Sequence, residues 1–327
     1  MKKILAADIG GTNSRFASFS VHGKTISHDR SIWLSTSAAD NFEHLLELLA
    51  SSNFELQMDK ADAIVFGVAG PVIDGFKCDP PNIPWDIDLN RLPKKLGCSN
   101  ALLINDFSAQ GYACFTPAYE DALEILAGTP IENCPVAIIG AGTGLGKSLL
   151  VPDGSGKYIT VPSEGGHGVF PFTTKEEIEY ADFLRIKTGE TKITGDHIVS
   201  GSGLEHLYEF HTREVLPAHK VVAHFNDHPV VLEWFARFYG RICQNFVLDT
   251  FALGGLYIAG GVAAGNPNIL QHEAFEQAFR DCEQYGKILC NVPVKLNVNE
   301  DAGLWGAAQY GADHLMHKMK PRPTVKG

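Results

Sequence analysis

The stretch 136-VAIIGAGTGLGKSLL-150 admits two readings that lead to different folds. From Ala141 to Ser148 it spells A-x-x-x-x-G-K-S, one residue short of the strict P-loop pattern. A P-loop needs a helix directly after Gly-Lys-Ser, because the helix N-terminus supplies part of the field that holds phosphate. Here the chain continues as 148-SLLVPDGSGKYITV-161, two β-rich runs around Pro152-Asp153-Gly154-Ser155-Gly156, which reads as a hairpin turn. Lys147 therefore projects from a strand, and the match to the P-loop is a coincidence of letters. A dinucleotide fingerprint fares no better, since G-x-G-x-x-G would need glycine at Leu145 or Lys147 and again a following helix.

A second segment has the same grammar, 4-ILAADIGGTNSRFASFSV-21. An apolar strand runs into glycines and a threonine, and another strand follows at once. Such a turn exposes backbone N–H groups and adds a hydroxyl, so it can donate several hydrogen bonds to phosphate without a helix dipole. Either turn alone reads as an ordinary hairpin; two of them, each opening one half of the chain, shift the balance toward phosphate.

The halves continue in parallel. After the first turn come a strand near 24–34 and an amphipathic helix near 38–52 with Phe42, Leu45, Leu46 and Leu49 on one face and Ser37-x-x-Asp40 at capping-box spacing. Strands 63-AIVFGVAG-70 and 101-ALLIND-106 follow. After the second turn come strand 157–161 and a helix over 175–188 with Thr174 and Glu177 at capping-box spacing. A long helix over 229–250, strand 256–261, a helix over 268–285, strand 292–298 and a final helical stretch 303–318 complete the pattern. Three hairpin-linked strands followed by alternating helices and strands, done twice, predict two related α/β domains with a cleft between them.

With 327 residues and 45% hydrophobic content, the chain can bury two such cores. A net charge of −11 with no basic patch excludes nucleic acid and anionic membrane as main partners. Asp8 interrupts the apolar start too early for a signal peptide, and the longest uncharged run, near 250–271, is too rich in glycine for a membrane span. Seven widely spaced cysteines without a C-x-x-C pair suit a reducing cytoplasm. The sequence predicts a cytoplasmic protein.

Several polar groups are candidates for chemistry. Asn105-Asp106 end an apolar strand, where side chains of an α/β domain face a ligand cleft, so Asp106 is either a base that accepts a proton from an attacking hydroxyl or a helix cap. In 163-SEGGHGVFPF-172, Glu164 can accept hydrogen bonds from two neighbouring sugar hydroxyls and His167 can donate or accept one; the segment also reads as a polar turn. The glycines of 258-IAGGVAAGN-266 would let an adenine or ribose lie against backbone, or serve close strand-helix packing. Asp8, beside Gly10-Gly11-Thr12, is placed to hold Mg²⁺ through water, or to start a turn.

Taken together the residues resemble the bacterial glucokinases of the hexokinase and actin superfamily, over essentially the whole chain. Asp8-Ile-Gly10-Gly11-Thr12-Asn13 matches that family's first phosphate motif, Gly140-Ala-Gly142-Thr143-Gly144-Leu-Gly146 its second, and Ile258-Ala-Gly260-Gly261 its adenosine motif. Ile104-Asn105-Asp106-Phe107 resembles the catalytic motif, whose aspartate is the general base. Asn105, Glu164 and His167 correspond to glucose-binding residues, and Asn82 with Trp85 to a motif beside the sugar. One departure stands out: aligning on Ser200-Gly-Ser-Gly-Leu204 puts Asp196 where the family has a sugar-touching glutamate. The shorter arm implies closer backbone, an intervening water or altered sugar selectivity.

The resemblance implies two ribonuclease H-like (actin-like ATPase) domains with an active-site cleft between them. It also implies a small domain 1–110 completed by the C-terminal helix 300–327, a large domain 111–299, and a homodimer. The activity implied is transfer of the γ-phosphoryl of ATP to the 6-hydroxyl of glucose with Mg²⁺, the first step of glycolysis. A kinase for mannose or fructose, and a non-catalytic sugar sensor or actin-like ATPase, are the alternatives; ADP or polyphosphate as donor is left open by phosphate turns that see little beyond the tail. The zinc-dependent sugar kinases of the superfamily carry C-x-C-G-x-x-G-C, and no cysteine lies between Cys134 and Cys243.

Overall fold

The structure, a computed structural model, describes residues 1–154 and 156–318; Ser155 of the expected hairpin turn and the end of the C-terminal stretch from 319 onward lie outside the described residues. Strand β1 (Lys2–Ile9) has Ile4, Leu5, Ala6 and Ala7 fully buried, so both of its faces are covered. Period-two alternation sends Leu5, Ala7 and Ile9 into one apolar cluster and Ile4 and Ala6 into another. The Gly10–Thr12 turn reverses the chain into β2 (Asn13–His22), antiparallel to β1 with Ile9 opposite Ser14, and β3 (Thr25–Ser35) pairs antiparallel to β2.

Helix α1 (Phe42–Ser51) buries the predicted Phe42, Leu45, Leu46 and Leu49 face, but it starts later than expected. Ser37 sits in a 3-10 turn, Thr36–Ala38, and the cap is Asn41, whose side chain accepts from the His44 N–H at 2.9 Å. An Asn side chain adjoining the first apolar residue outcompetes the more distant Ser37 pair for the orphan N–H groups. Strand β4 (Ala63–Val68) runs parallel to β1. A small sheet of β5 (Val72–Ile73), β6 (Lys77–Cys78) and β7 (Ile87–Asp88) follows, which sequence periodicity could not announce because two-residue strands have none. Strand β8 (Ala101–Asn105), parallel to β4, enters α2 (Asp106–Ala113) directly. The five-stranded order is β3-β2-β1-β4-β8.

The second unit adds β9 (Leu123–Leu126) and then repeats the scheme with β10 (Val136–Ala141), β11 (Leu145–Pro152) and β12 (Tyr158–Ser163). β11 runs straight through Lys147, which rules out the P-loop. Helices α3 (Lys175–Thr188), α4 (Gly195–Ile198), α5 (Gly201–Thr212), α6 (Ala218–Val221) and α7 (Pro229–Thr250) precede β13 (Leu256–Ala259). The single helix expected over 268–285 is instead broken. After α8 (Gly261–Ala264) come α9 (Asn268–Gln271) and α10 (Glu273–Arg280), separated at His272, whose backbone is extended and whose ring nitrogen accepts from the Ala274 N–H. Helix α11 (Gly286–Leu289) and β14 (Val294–Leu296) close the sheet, in the order β12-β11-β10-β13-β14-β9. Five of its strands repeat the first sheet, with two antiparallel hairpin steps followed by two parallel ones.

The chain forms two compact units, Met1–Glu120 with the chain from Asn299 onward, and Asp121–Val298. Each is an α/β domain of ribonuclease H-like topology. Helix α12 (Ala302–Lys318) belongs to the first, where Leu304, Ala307, Ala308 and Ala312 pack with Ile4, Ala6, Val65 and Ala109. All seven cysteines are free thiols, and no helix among the described residues is long and apolar enough to cross a membrane.

The α12–α2 contact is backbone-close: a Cβ on Gly306 would overlap the Ala109 carbonyl oxygen, whereas one on Gly303 would stay 3.6 Å from its nearest neighbour. Gly306→Ala is expected to destabilise the protein by about 1–3 kcal/mol in denaturant titration, the cost of overpacking. Gly303→Ala, which keeps ordinary van der Waals clearance, should cost much less.

Candidate functional site

Each unit carries one strand-turn-strand with the same unspent donors. In the first, the Gly10 N–H donates to the Asn13 carbonyl at 3.1 Å, and Thr12 accepts from the Thr36 N–H. In the second, the Gly142 N–H donates to the Gly144 carbonyl at 2.8 Å. Among the described residues no hydrogen bond engages the N–H of Gly11 or Thr12, or of Thr143 or Gly144. Thr12 and Thr143 are exposed. Each turn thus presents two successive N–H groups and a hydroxyl, an arrangement that suits an anion.

In the first unit, Asp8 is the last residue but one of β1, with 30% of its side chain exposed and the Arg15 guanidinium 3.4 Å away. Burial lifts its carboxyl above the ordinary aspartate range; Arg15 opposes the rise and Asp301 adds to it. Asn105 is the cap of α2, its Oδ1 accepting from the Ser108 N–H at 3.0 Å. Its amide donates to the Gly70 carbonyl at 3.1 Å and to Asp106 Oδ1 at 3.0 Å, which commits both of its donor hydrogens to the protein. Asp106 is thus the first helical residue rather than the cap. The same Oδ1 accepts from the Phe107 N–H at 2.9 Å, and the carboxylate is partly exposed. Asn82 is exposed, and its carbonyl stands where a Cβ on Gly11 would lie, 2.6 Å away, so it borders the first turn. Trp85 is buried and donates to the Ala39 carbonyl at 3.2 Å, a packing role.

Gln110 was not a candidate on sequence grounds. It lies one turn beyond Asp106 on α2, and its Oε1 is buried without a partner among the described residues. Its Nε2 and Asp8 Oδ2 converge on one point, each 3.6 Å from where a Gly303 Cβ would be.

In the second unit the Gly142–Gly144 turn is a hub. Gly260, at φ 90°, lies so close to it that a Cβ would overlap the Ala141 carbonyl, which brings the predicted adenosine segment onto the turn. A Cβ on Gly166 would likewise overlap the Leu145 carbonyl, so the Glu164–His167 segment rests on the turn's other end. Glu164 and His167 are both more than half exposed and 3.9 Å apart. The buried Tyr239 hydroxyl accepts from the Ala141 N–H at 3.2 Å. Asp196, aligned as a sugar residue, has its Oδ1 2.6 Å from the Leu145 N–H. Lys147 does leave a strand, but inward: it is 7% exposed, with its amine over the Phe246 ring, and burial lowers its pKa against the pull of Cys243 and Asp249.

The chain that follows His167 is anchored by an ion pair. Glu177, fully buried, takes both oxygens to Arg241 at 2.7 and 2.9 Å and accepts from the Thr173 N–H at 2.8 Å, while Arg241 also donates to the Pro171 carbonyl. Thr174 caps α3 as its spacing predicted, but Glu177 reaches back one residue further than a capping box would. Burial alone would raise the Glu177 carboxyl; the hydrogen bonds from Arg241 and Thr173 hold it below the ordinary range.

The whole chain is similar to known proteins. The family model described as Glucokinase matches residues 5–314. The chain belongs to the glucokinase family. A glucokinase from Synechocystis sp. is 30% identical, covering 93% of this chain and 96% of its own length. One from Shigella dysenteriae is 28% identical, covering 97% and 99%. Among solved structures, a glucokinase from an Antarctic psychrotroph superposes with a TM-score of 0.81 at 24% identity, covering 96% of this chain and 99% of that one. A glucokinase from Balamuthia mandrillaris in complex with glucose gives 0.79 at 20% identity, covering 95% and 94%. These likenesses establish the actin-like ATPase fold.

Replacing Arg241 with Met takes both close guanidinium bonds from a buried carboxylate and leaves it Arg237, at 3.6 Å, as its cation, at an expected cost of up to about 3–5 kcal/mol at neutral pH. A carboxylate whose folded pKa is lowered contributes stability above its unfolded pKa and loses it as pH falls through the folded value. The gap between the wild type and Arg241→Met in thermal or urea unfolding should therefore narrow in acid below the ordinary glutamate range.

Proposed function

We infer that the chain transfers the γ-phosphoryl of ATP to the 6-hydroxyl of glucose, giving glucose 6-phosphate and ADP. What carries this is family membership over nearly the full length, joined to two turns with unspent N–H pairs and a strand-end Asn105-Asp106. Relatives named glucokinase, one of them solved with glucose and another, from Streptomyces griseus, with glucose and AMPPNP, support the choice of substrates.

Phosphoryl transfer passes through a loose transition state that needs alignment and charge neutralisation more than a strong base. The N–H groups of Gly11, Thr12, Thr143 and Gly144 hold phosphate oxygens. Gly260 and Gly261 admit the adenosine at backbone distance. Glu164, His167 and Asp196 hold the sugar hydroxyls, with Asn82 bordering the first turn. Asn105, whose donors are spent on Gly70 and Asp106, orients the base more than it grips the ring. Asp106 aligns the 6-hydroxyl and takes its proton as the new O–P bond forms.

The donor set fits Mg²⁺ carried mainly by the nucleotide. Asp8 is one hard, partly exposed carboxylate with Asp301 nearby, and no group of three ligating side chains occurs among the described residues. Mg²⁺ ordinarily keeps waters and takes one or two carboxylates besides substrate phosphates. When bound it would supply neutralisation of phosphate charge. The proposal includes a small domain 1–110 completed by the C-terminal helix, a large domain 111–299, and a homodimer in solution; the compact units put the first boundary after Glu120 rather than after residue 110.

A coupled assay with ATP across glucose, mannose and fructose tests the reading, with glucose expected to give the highest kcat/KM. Asp106→Asn keeps the side chain's shape and should lower kcat by roughly 10²–10⁴ while glucose still binds. ATP turnover indifferent to added sugar would sink the assignment.

A further inference from the structure

The Asp196 carboxylate reaches the base of the second phosphate turn. Its Oδ1 accepts from the Leu145 N–H at 2.6 Å, a bond across 51 residues of sequence, and Leu145 is buried. The same oxygen lies 2.5 Å from where a Cβ on Gly144 would be, so the carboxylate fills the space that a side chain at that position would need. A charged acceptor at this distance makes one of the stronger hydrogen bonds a protein forms. It bonds the residue that directly follows the two unspent donors of Thr143 and Gly144.

Asp196 is also tied to the sugar segment. The Gly195 N–H donates to the Gly168 carbonyl at 2.9 Å, and Val169 and Thr194 form a β-bridge. The residue beside Asp196 is thus stitched to the stretch that bears Glu164 and His167. An aspartate holds its carboxylate one methylene nearer the backbone than a glutamate does. The geometry points to Asp196 as a positioning residue of the second phosphate turn: its shorter arm is used to hold the Leu145 N–H, so that Thr143 and Gly144 keep their N–H groups aimed outward. This rests on the phosphate reading of the turn and adds a duty that contact with sugar alone would not require.

Nucleotide affinity measured without sugar separates the two roles. Asp196→Ala removes the acceptor and leaves a buried N–H unpaired, and ADP binding by calorimetry should weaken roughly tenfold. Asp196→Asn keeps an acceptor oxygen at the same place and should hold ADP affinity within about twofold, while the KM for glucose rises. In the unaltered protein the Leu145 amide should be protected from hydrogen exchange, and that protection should be lost in Asp196→Ala and kept in Asp196→Asn. ADP affinity unchanged in Asp196→Ala, or a Leu145 amide that exchanges like an exposed loop in the unaltered protein, overturns the positioning role. If the unaltered protein fails to bind ADP at all, it is the phosphate reading that falls. Should Asp196→Ala not fold, the exchange measurement on the unaltered protein still decides.

Discussion

Backbone meeting backbone is the constraint on which the second unit depends. The β10–β11 turn keeps its N–H groups open with the help of two neighbours that approach it as bare backbone. Gly260 lies against the Ala141 carbonyl and Gly166 against the Leu145 carbonyl, each at a distance no Cβ permits. Such contacts hold the turn on both sides while leaving its own donors unspent. A turn held by side chains reaching over it would be covered. Here it is gripped from beneath and beside, and the Tyr239 hydroxyl and the Asp196 carboxylate each take one N–H at its base.

The first unit solves a related problem with a different device. The Asp106 carboxylate sits at the start of α2, where the aligned peptide dipoles favour negative charge. Asn105 satisfies the helix's orphan N–H with its oxygen and steers Asp106 with its amide, so one residue both ends the strand and holds the carboxylate proposed as the base. Capping and positioning, which looked like rival readings of the Asn105-Asp106 pair, are shared between the two residues. The bland reading of Asp106 as the cap is met by its neighbour.

Much of this was legible in order along the chain. The twofold succession of hairpins and alternating elements could be read because each β-rich run is bounded by Gly, Pro or Asn, and because α7 is long and strongly patterned. The turns at Gly10-Gly11-Thr12, Gly142-Thr143-Gly144 and Gly260-Gly261 were visible as glycine clusters following apolar strands. What escaped were short or broken elements. The β5–β7 sheet has too few residues for a period, and the α9–α10 break turns on His272 adopting extended backbone, which no local rule requires of histidine. The cap of α1 moved because Asn41 competes with Ser37 at a place where both are plausible on composition.

Topology and the kind of chemistry were written in the order of residues. Alternation of apolar residues sets which strand faces are buried, and glycine-threonine turns between strands, with no helix after Gly-Lys-Ser, set how phosphate could be met. Which polar groups act on which was settled by packing alone. Asp196 and Leu145 lie 51 residues apart, and Glu177 and Arg241 64, so neither bond leaves a local trace. Gln110 reads as an ordinary helical residue until its buried oxygen and its approach toward Asp8 are seen together. Hydrogen bonding and desolvation are properties of atoms within a few ångströms of one another, and that proximity comes into being when the sheets and helices pack.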